Sequence, residues 1–204
     1  MKWIEIQKRI ADSGMSIFTV SEFRRATDLS KIAAQKFLER YAKRGLLTRL
    51  KKGMYIVTDN PPTSLLISNR LYRPSYVSFE FALSYHRIIP ETVYGVTAAT
   101  TKPTRNFEVE GKAFIYHKIK TSAYTGYAPM RIGVEVILLA SPEKALVDYL
   151  YLVNLGKKPL YERLEFKELS KEKIVANTIL FRRPSFYNWV QNDIIRDNSK
   201  AERH

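Results

Sequence analysis

The sequence predicts an α+β protein of two domains, and three observations support this prediction. Within the first 60 residues, helix patterns are followed directly by two short strand patterns. The adjacent prolines in Asp59-Asn60-Pro61-Pro62 then interrupt helix and strand alike. Beyond them, helix patterns are interspersed with extended apolar runs. We therefore expect an N-terminal domain over residues 1–60, a mixed α/β domain with a small sheet over residues 61–197, and a disordered tail over residues 198–204.

Two helices are predicted in quick succession near the N-terminus, in the segments TVSEFRRATD and SKIAAQKFLERYAKRG. Thr19 and Glu22 have the spacing of a capping box, and Ser30 is a candidate N-cap for the second helix. Apolar residues of the second helix recur at helical spacing. This periodicity predicts one buried stripe, formed by Ala34, Phe37, Leu38, Tyr41 and Ala42.

A short hairpin is predicted to follow the second helix. Gly45 suits the left-handed conformation in which helices often end. The segments LLTRL and MYIV read as strands, and Lys51, Lys52 and Gly53 form the turn between them. An earlier segment, WIEIQKRIA, reads as a first helix. Helix, turn, basic helix and hairpin in this order are typical of a winged helix-turn-helix, whose second helix fits the major groove of B-DNA.

The exposed faces of the second helix and of the hairpin turn are predicted to contact DNA. Gln35 has the amide that can make a bidentate contact with adenine, whereas Lys36 and Arg40 can read guanine or bind phosphate. Side chains of the hairpin would hold the DNA backbone or the minor groove. The complete set of predicted DNA-binding residues is Ser30, Lys31, Gln35, Lys36, Arg40, Lys43, Arg49, Lys51 and Lys52.

Composition and charge limit the class of partner. The 204 residues have a net charge of +14, and the first 60 contain 13 Lys and Arg against 6 Asp and Glu. A polyanionic partner is expected, because cations that contact phosphates release counterions.

The absence of cysteine excludes disulfides and thiolate metal sites. No apolar run reaches the ~20 residues that span a bilayer, and the start lacks the apolar core of a signal peptide, so we expect a cytoplasmic protein without membrane contact.

The second domain is predicted to mix helices with extended segments. Ser141-Pro142-Glu143 has the pattern of a helix start, with Ser as the cap and Pro in the first turn. Glu110-Gly111 is predicted to turn one strand into the next. Helices are expected at 63–72, 78–87, 142–155, 170–179 and 184–196, and extended segments at 93–100, 106–110, 112–119 and 134–140.

Three segments of the chain carry a resemblance to a known family. They are GLLTRLKKGMYIV, which follows the second helix, YVSFEFALSYHRIIPETVYGVTAATTKPTR at 76–105, and ASPEKALVDYLYL at 140–152. In these segments the chain resembles the AbiEi antitoxins and transcriptional regulators of bacterial abortive-infection systems. The resemblance implies a repressor that binds inverted repeats in the operator DNA of its own operon. It also implies an antitoxin of type IV, which opposes a nucleotidyltransferase-like toxin without necessarily forming a stable complex.

Two other functions remain open from the sequence. The first is a protein-interaction module that neutralises a toxin directly and does not use DNA. The second is a Mg²⁺-dependent nuclease, because Glu110-Gly111-Lys112 and Glu165-Phe166-Lys167 fit a Glu-x-Lys pattern. Aspartate is absent from residues 60–147, however, so the first motif lacks its usual upstream acidic partner.

No other pattern in the sequence indicates catalysis. The three histidines His86, His117 and His204 are far apart, and no glycine-rich motif for binding phosphates is present. We therefore predict no catalytic residue, no metal and no cofactor.

A second basic set in the C-terminal domain could extend the contact with DNA or bind toxin or RNA. Its members are Lys102, Arg105, Lys112, Lys118 and Lys120.

Overall fold

The computed structural model describes residues 3–196, and its chain divides into two compact units, Met1–Leu71 and Tyr72–His204. The predicted division at residue 60 lies inside the first unit, so the helix that follows the two prolines is grouped with the N-terminal elements. The predicted tail at 198–204 lies outside the described residues. The α+β class is confirmed, with helices and a separate sheet in each unit.

Residues 3–71 form the order of elements expected for a winged helix, with one further helix at the end. The elements are α1 (Trp3–Asp12), β1 (Ile17–Thr19), α2 (Val20–Thr27), α3 (Lys31–Lys43), β2 (Leu47–Lys51), β3 (Met54–Val57) and α4 (Ser64–Leu71). The three strands form an antiparallel sheet in the order β1-β3-β2. Strand β1 was not predicted from the sequence.

The predicted caps of α2 and α3 are confirmed. The Thr19 hydroxyl accepts a hydrogen bond from the Glu22 backbone N–H at 3.2 Å, and the Thr19 N–H donates to the Glu22 carboxylate at 2.7 Å. The Ser30 hydroxyl accepts from the Ala33 N–H at 3.3 Å. Gly45 has a φ of +74° just after α3. Each cap satisfies backbone groups that have no partner within the helix, which fixes where both helices begin.

The core of the first unit is aromatic and lies against one side of α3. Phe37 packs between Phe23, at 5.5 Å between ring centroids, and Tyr41, at 4.2 Å. Trp3 of α1 stacks on Tyr41 at 4.9 Å. The predicted stripe is buried at Ala34, Phe37, Leu38 and Tyr41 and partly buried at Ala42. Burial of this side of α3 leaves its opposite side in solvent.

An ion pair joins α4 to the capping box of α2. The Arg70 guanidinium lies 2.8 Å from the Glu22 carboxylate and also donates to the Ile17 carbonyl at 3.3 Å. Burial by itself would raise the pKa of Glu22, but hydrogen bonds from Arg70 and Thr19 lower it to about 2. The Glu22 carboxylate therefore links three elements of the first unit, β1, α2 and α4.

Glu22→Gln is expected to lower the free energy of unfolding of the first unit by about 1–2 kcal/mol at neutral pH. A carboxyl whose pKa is depressed by folding stabilises the fold above its unfolded pKa, near 4.5, and this stabilisation is lost as the pH falls toward 2. Urea denaturation at a series of pH values should show a weaker acid dependence for this variant. Asp12→Asn, at an exposed position of α1, is the control, and equal acid dependence in both variants would contradict the prediction.

Residues 72–196 form a six-stranded mixed sheet with helices. The elements are β4 (Ser75–Val77), α5 (Phe79–Tyr85), β5 (Val96–Thr100), β6 (Arg105–Val109), β7 (Lys112–Lys118), β8 (Tyr127–Ile132), β9 (Glu135–Ala140), α6 (Pro142–Asn154), α7 (Lys171–Ile179) and α8 (Pro184–Trp189). The strand order is β6-β7-β5-β4-β9-β8, with parallel pairing between β4 and β9 and between β5 and β7. Among the described helices of the chain, none is long and apolar enough to cross a bilayer.

Most of the predicted elements of this unit are confirmed, with two differences. The Ser141 hydroxyl accepts from the Lys144 N–H at 3.2 Å and caps α6, as predicted. The predicted turn at Glu110-Gly111 joins β6 to β7, and both residues have positive φ, +49° and +75°. Strands β4 and β8 were not predicted. The expected helix at 184–196 is α8 followed by a π-helical segment, Val190–Ile195.

Helix α6 carries a buried ion pair at the centre of the second unit. Lys144 and Asp148 are both 0% exposed and are joined by a hydrogen bond from the Lys144 ammonium to the Asp148 carboxylate. The same carboxylate accepts hydrogen bonds from the Tyr76 hydroxyl at 2.8 Å and from the Ser78 hydroxyl at 2.7 Å. Burial raises the pKa of Asp148, and these three donors act against that rise. The network thereby connects β4 and the start of α5 to α6.

Candidate nucleic-acid interface

The solvent-facing side of α3 carries the predicted base-reading residues. Lys31, Gln35, Lys36, Arg40 and Lys43 are all exposed, on the part of the helix surface that the aromatic core leaves in solvent. Ser30 is also exposed at the start of the helix. Its oxygen accepts the capping hydrogen bond, so its hydroxyl hydrogen is left for an external acceptor. The fold therefore brings six of the nine predicted residues to one helix and its cap.

Gln35 has a neighbour that the sequence analysis missed. Its side-chain amide donates to the Glu39 carboxylate at 3.0 Å, one helical turn away. A bidentate contact with adenine needs the carbonyl oxygen and one N–H of the amide. The amide has two N–H groups, so Glu39 can hold one while the other remains for a base. The i, i+4 spacing of Gln35 and Glu39 was the signal in the sequence for this pair.

Arg40 in α3 and Arg44 at the C-terminal end of that helix both lie over aromatic rings. The Arg40 guanidinium is 5.0 Å from the centroid of Tyr41 and 5.5 Å from that of Phe37. The Arg44 guanidinium is 5.2 Å from the Tyr41 centroid. Arg44 was not among the predicted site residues. Stacking on a ring restricts the orientation of a guanidinium. Because its N–H donors point outward in the guanidinium plane, they remain available to bind a phosphate oxygen.

The three basic residues of the hairpin differ in their surroundings. Lys52 is exposed in the turn beside Gly53, which has a φ of +76°. Arg49 is exposed on β2. Lys51, in contrast, is half-buried, and its ammonium donates to the carbonyl of Leu71 at the end of α4. Arg49 and Lys52 therefore face solvent, whereas the Lys51 charge is directed at the protein itself.

Lys52→Ala is expected to weaken binding to all DNA duplexes alike and to lessen the salt slope by about one, because one phosphate contact is lost. Lys51→Ala is expected instead to lower the free energy of unfolding by about 1 kcal/mol and to leave the salt slope unchanged. Fluorescence anisotropy between about 50 and 200 mM salt, together with urea denaturation, separates the two effects. Equal salt slopes for the two variants would contradict this division of roles.

The second basic set is divided between two ends of the larger sheet. Lys102 lies 5.5 Å from the ring centroid of Tyr72, and Arg105 lies 5.1 Å from that of Phe107. Lys118 pairs in register with Thr100, at the same end of the strands as Arg105. Lys120 donates to the Arg182 carbonyl at 3.2 Å. Lys112 follows the β6–β7 turn at the opposite end, so the five residues do not form one patch.

Neither glutamate of the two Glu-x-Lys motifs lies on a strand. Glu110 and Gly111 form a hairpin turn, and residues 165–167 lie in the connection between α6 and α7. Over residues 3–196, no group of three or more His, Asp or Glu side chains is placed to hold a metal ion.

The two described histidines contact groups within the second unit. A ring nitrogen of His86 is hydrogen-bonded to the Ala140 carbonyl at 2.9 Å. His117 packs edge-on against Phe79, and burial lowers its pKa.

Comparison with known proteins finds a family resemblance in the first unit. Residues 5–58 match the family model described as a transcriptional regulator, AbiEi antitoxin. This segment begins within α1 and ends just after β3, so it includes α3 and the hairpin with their exposed basic residues. No curated protein matches the sequence. Residues 5–58 of this chain are therefore similar to the AbiEi antitoxin family of transcriptional regulators.

Proposed function

We propose that this chain is a cytoplasmic DNA-binding repressor of its own operon and the antitoxin of a nucleotidyltransferase-like toxin. The proposal rests on the solvent-facing side of α3. Gln35, Lys36 and Arg40 lie exposed there, within a segment that matches a family of transcriptional regulators. A capped helix that is buried on one side and polar on the other has the dimensions and chemistry to enter the major groove.

The mechanism follows from the differences among these side chains. Gln35 would contact a base edge with the amide that Glu39 orients. Lys36 would read guanine or bind a phosphate, and the guanidinium of Arg40 would bind where its two rings hold it. Arg49 and Lys52 of the hairpin would contact the DNA backbone beside the groove. Operator DNA with inverted repeats would bind two copies of the chain, one to each repeat.

The antitoxin activity is proposed for the second unit. This unit has its own sheet and a core that includes the buried network of Lys144 and Asp148. In the type IV arrangement, the antitoxin opposes the toxin without necessarily forming a stable complex. A protein-interaction module that does not use DNA is the competing hypothesis, and direct titration with DNA distinguishes the two.

The first experiment is an anisotropy titration of the full chain with DNA from directly upstream of its gene. A scrambled duplex of equal length serves as competitor, and two salt concentrations are used. We expect tight binding that survives the competitor. Salt-sensitive binding that is equal for both duplexes, or no binding, would overturn the proposed repressor function and favour the protein-interaction module.

The antitoxin function is tested by co-expression with the nucleotidyltransferase-like protein from the neighbouring gene. We expect the full chain to restore growth, and the variant Lys36→Ala/Arg40→Ala to restore it equally when both genes are expressed from unrelated promoters. Failure of the wild-type chain to restore growth would contradict the antitoxin proposal. Co-purification of the two proteins would show a stable complex and contradict the type IV arrangement.

A further inference from the structure

Helix α3 presents an isoleucine to solvent at its second residue. Ile32 is 69% exposed. At about 100° per residue, it lies opposite the buried side formed by Ala34, Phe37, Leu38 and Tyr41. The hydrophobic core of the first unit therefore does not account for an apolar side chain at this position.

The neighbours of Ile32 on the helix surface are the groups proposed to contact DNA. Gln35 is three residues away and Lys36 four, so both lie beside Ile32 on the same side. The first turn of a recognition helix is the part that reaches base edges in helix-turn-helix proteins. Ile32 is in that turn, directly after the Ser30 cap and Lys31.

We propose that Ile32 reads the 5-methyl group of a thymine in the major groove, an inference that rests on the proposed DNA-binding function. Thymine is the one standard base that presents a methyl group there, and apolar side chains are the groups that recognise it. Contact removes two apolar surfaces from water, which favours thymine over a base without the methyl group.

The isolation of Ile32 supports a small apolar target. Its exposed neighbours Lys31, Gln35 and Lys36 are charged or polar, the short side chain of Ala33 adds little apolar surface, and Leu29, three residues earlier, is half-buried against the core of the first unit. A site that docks another protein needs a contiguous apolar patch of larger area. A single branched aliphatic side chain among cations and amides instead matches one methyl group beside phosphates and polar base edges.

The test is a scan of single dT→dU replacements, each of which removes one methyl group and leaves every hydrogen-bonding group intact. The probe is a duplex that the full chain selects from a random-sequence library. We expect one position in each half-site where the replacement weakens wild-type binding by about fourfold, as burial of one methyl group predicts. Ile32→Ala should bind the thymine duplex more weakly and should not distinguish it from the uracil duplex, whereas Ile32→Val should retain the distinction.

Ile4→Ala is the matched control, because Ile4 is an apolar residue of α1 with 72% exposure. It should retain the wild-type pattern over the whole scan. Specific binding with no position sensitive to dT→dU, or a sensitivity that persists in Ile32→Ala, would overturn the thymine contact and leave the repressor function standing. Selection of no sequence, with equal binding to all duplexes, would overturn both.

Discussion

Lys36→Ala/Arg40→Ala is expected to weaken binding to the upstream DNA by at least about 100-fold. Each lost contact with a base or a phosphate costs about 1–3 kcal/mol, and two losses near the middle of this range together correspond to between two and three powers of ten in affinity. Both side chains are exposed on α3, and Arg40 is already oriented by Phe37 and Tyr41. The loss should be larger for the upstream duplex than for a scrambled one, because base contacts as well as phosphate contacts are removed.

A control with the same change in charge isolates the role of α3. Lys8→Ala/Arg9→Ala removes two positive charges from exposed positions of α1 in the same unit. We expect this variant to retain most of its affinity for the upstream duplex. Equal losses in the two double variants would show that net charge, and not the surface of α3, determines binding. Thermal melting should confirm that both variants are folded, since the ring contacts of Arg40 contribute only about 0.5–1 kcal/mol.

Asp148→Ala is expected to lower the free energy of unfolding of the second unit by about 3–5 kcal/mol. The substitution leaves the Lys144 ammonium buried without its carboxylate, in a position that is 0% exposed. It also removes the acceptor of the Tyr76 and Ser78 hydroxyls. Urea denaturation followed by circular dichroism measures the loss, and a variant as stable as the wild type would contradict the prediction.

Two further variants separate charge from packing in this network. Asp148→Asn keeps an oxygen that accepts from Tyr76 and Ser78 but removes the charge opposite Lys144, so a smaller loss than in Asp148→Ala is expected. Lys144→Met/Asp148→Leu removes both charges and should recover part of the stability. Recovery should be incomplete because the two hydroxyls remain without an acceptor. A double variant that is less stable than Asp148→Ala would show that the cost does not come from the unpaired ammonium.

Local patterns in the sequence predicted the elements whose structure is determined locally. The capping box of α2, the Ser30 cap and buried stripe of α3, the Glu110-Gly111 turn and the start of α6 all depend on residues within a few positions of each other. Strands β1, β4 and β8 were not predicted. The first two have three residues each, too few to show an alternation, and Pro129 interrupts the pattern of β8.

In the candidate site too, local arrangements could be predicted from the sequence and long-range contacts could not. Helical spacing placed Lys36 and Arg40 on one exposed side of α3, and it could also have identified Glu39 as a partner of Gln35. The contact between Lys51 and the Leu71 carbonyl joins residues far apart in the sequence, so no local sequence pattern predicts it. The pair Lys144 and Asp148 has the spacing of a solvent-exposed helix pair, and only the packing of the second unit buries it.

The sheet topologies described above also set the order in which the two units can fold during synthesis. In the first unit, β1 and β2 both pair with β3, so the sheet is complete once residue 57 has left the ribosome. In the second unit, β4 has β9 as its parallel partner, with Val77 opposite Leu139, so its central pairing waits for a much longer nascent chain. Non-local strand pairing is slow to form, and domains fold as units from the N-terminus. The first unit of each new molecule is therefore expected to reach its native state while the second unit is still being translated.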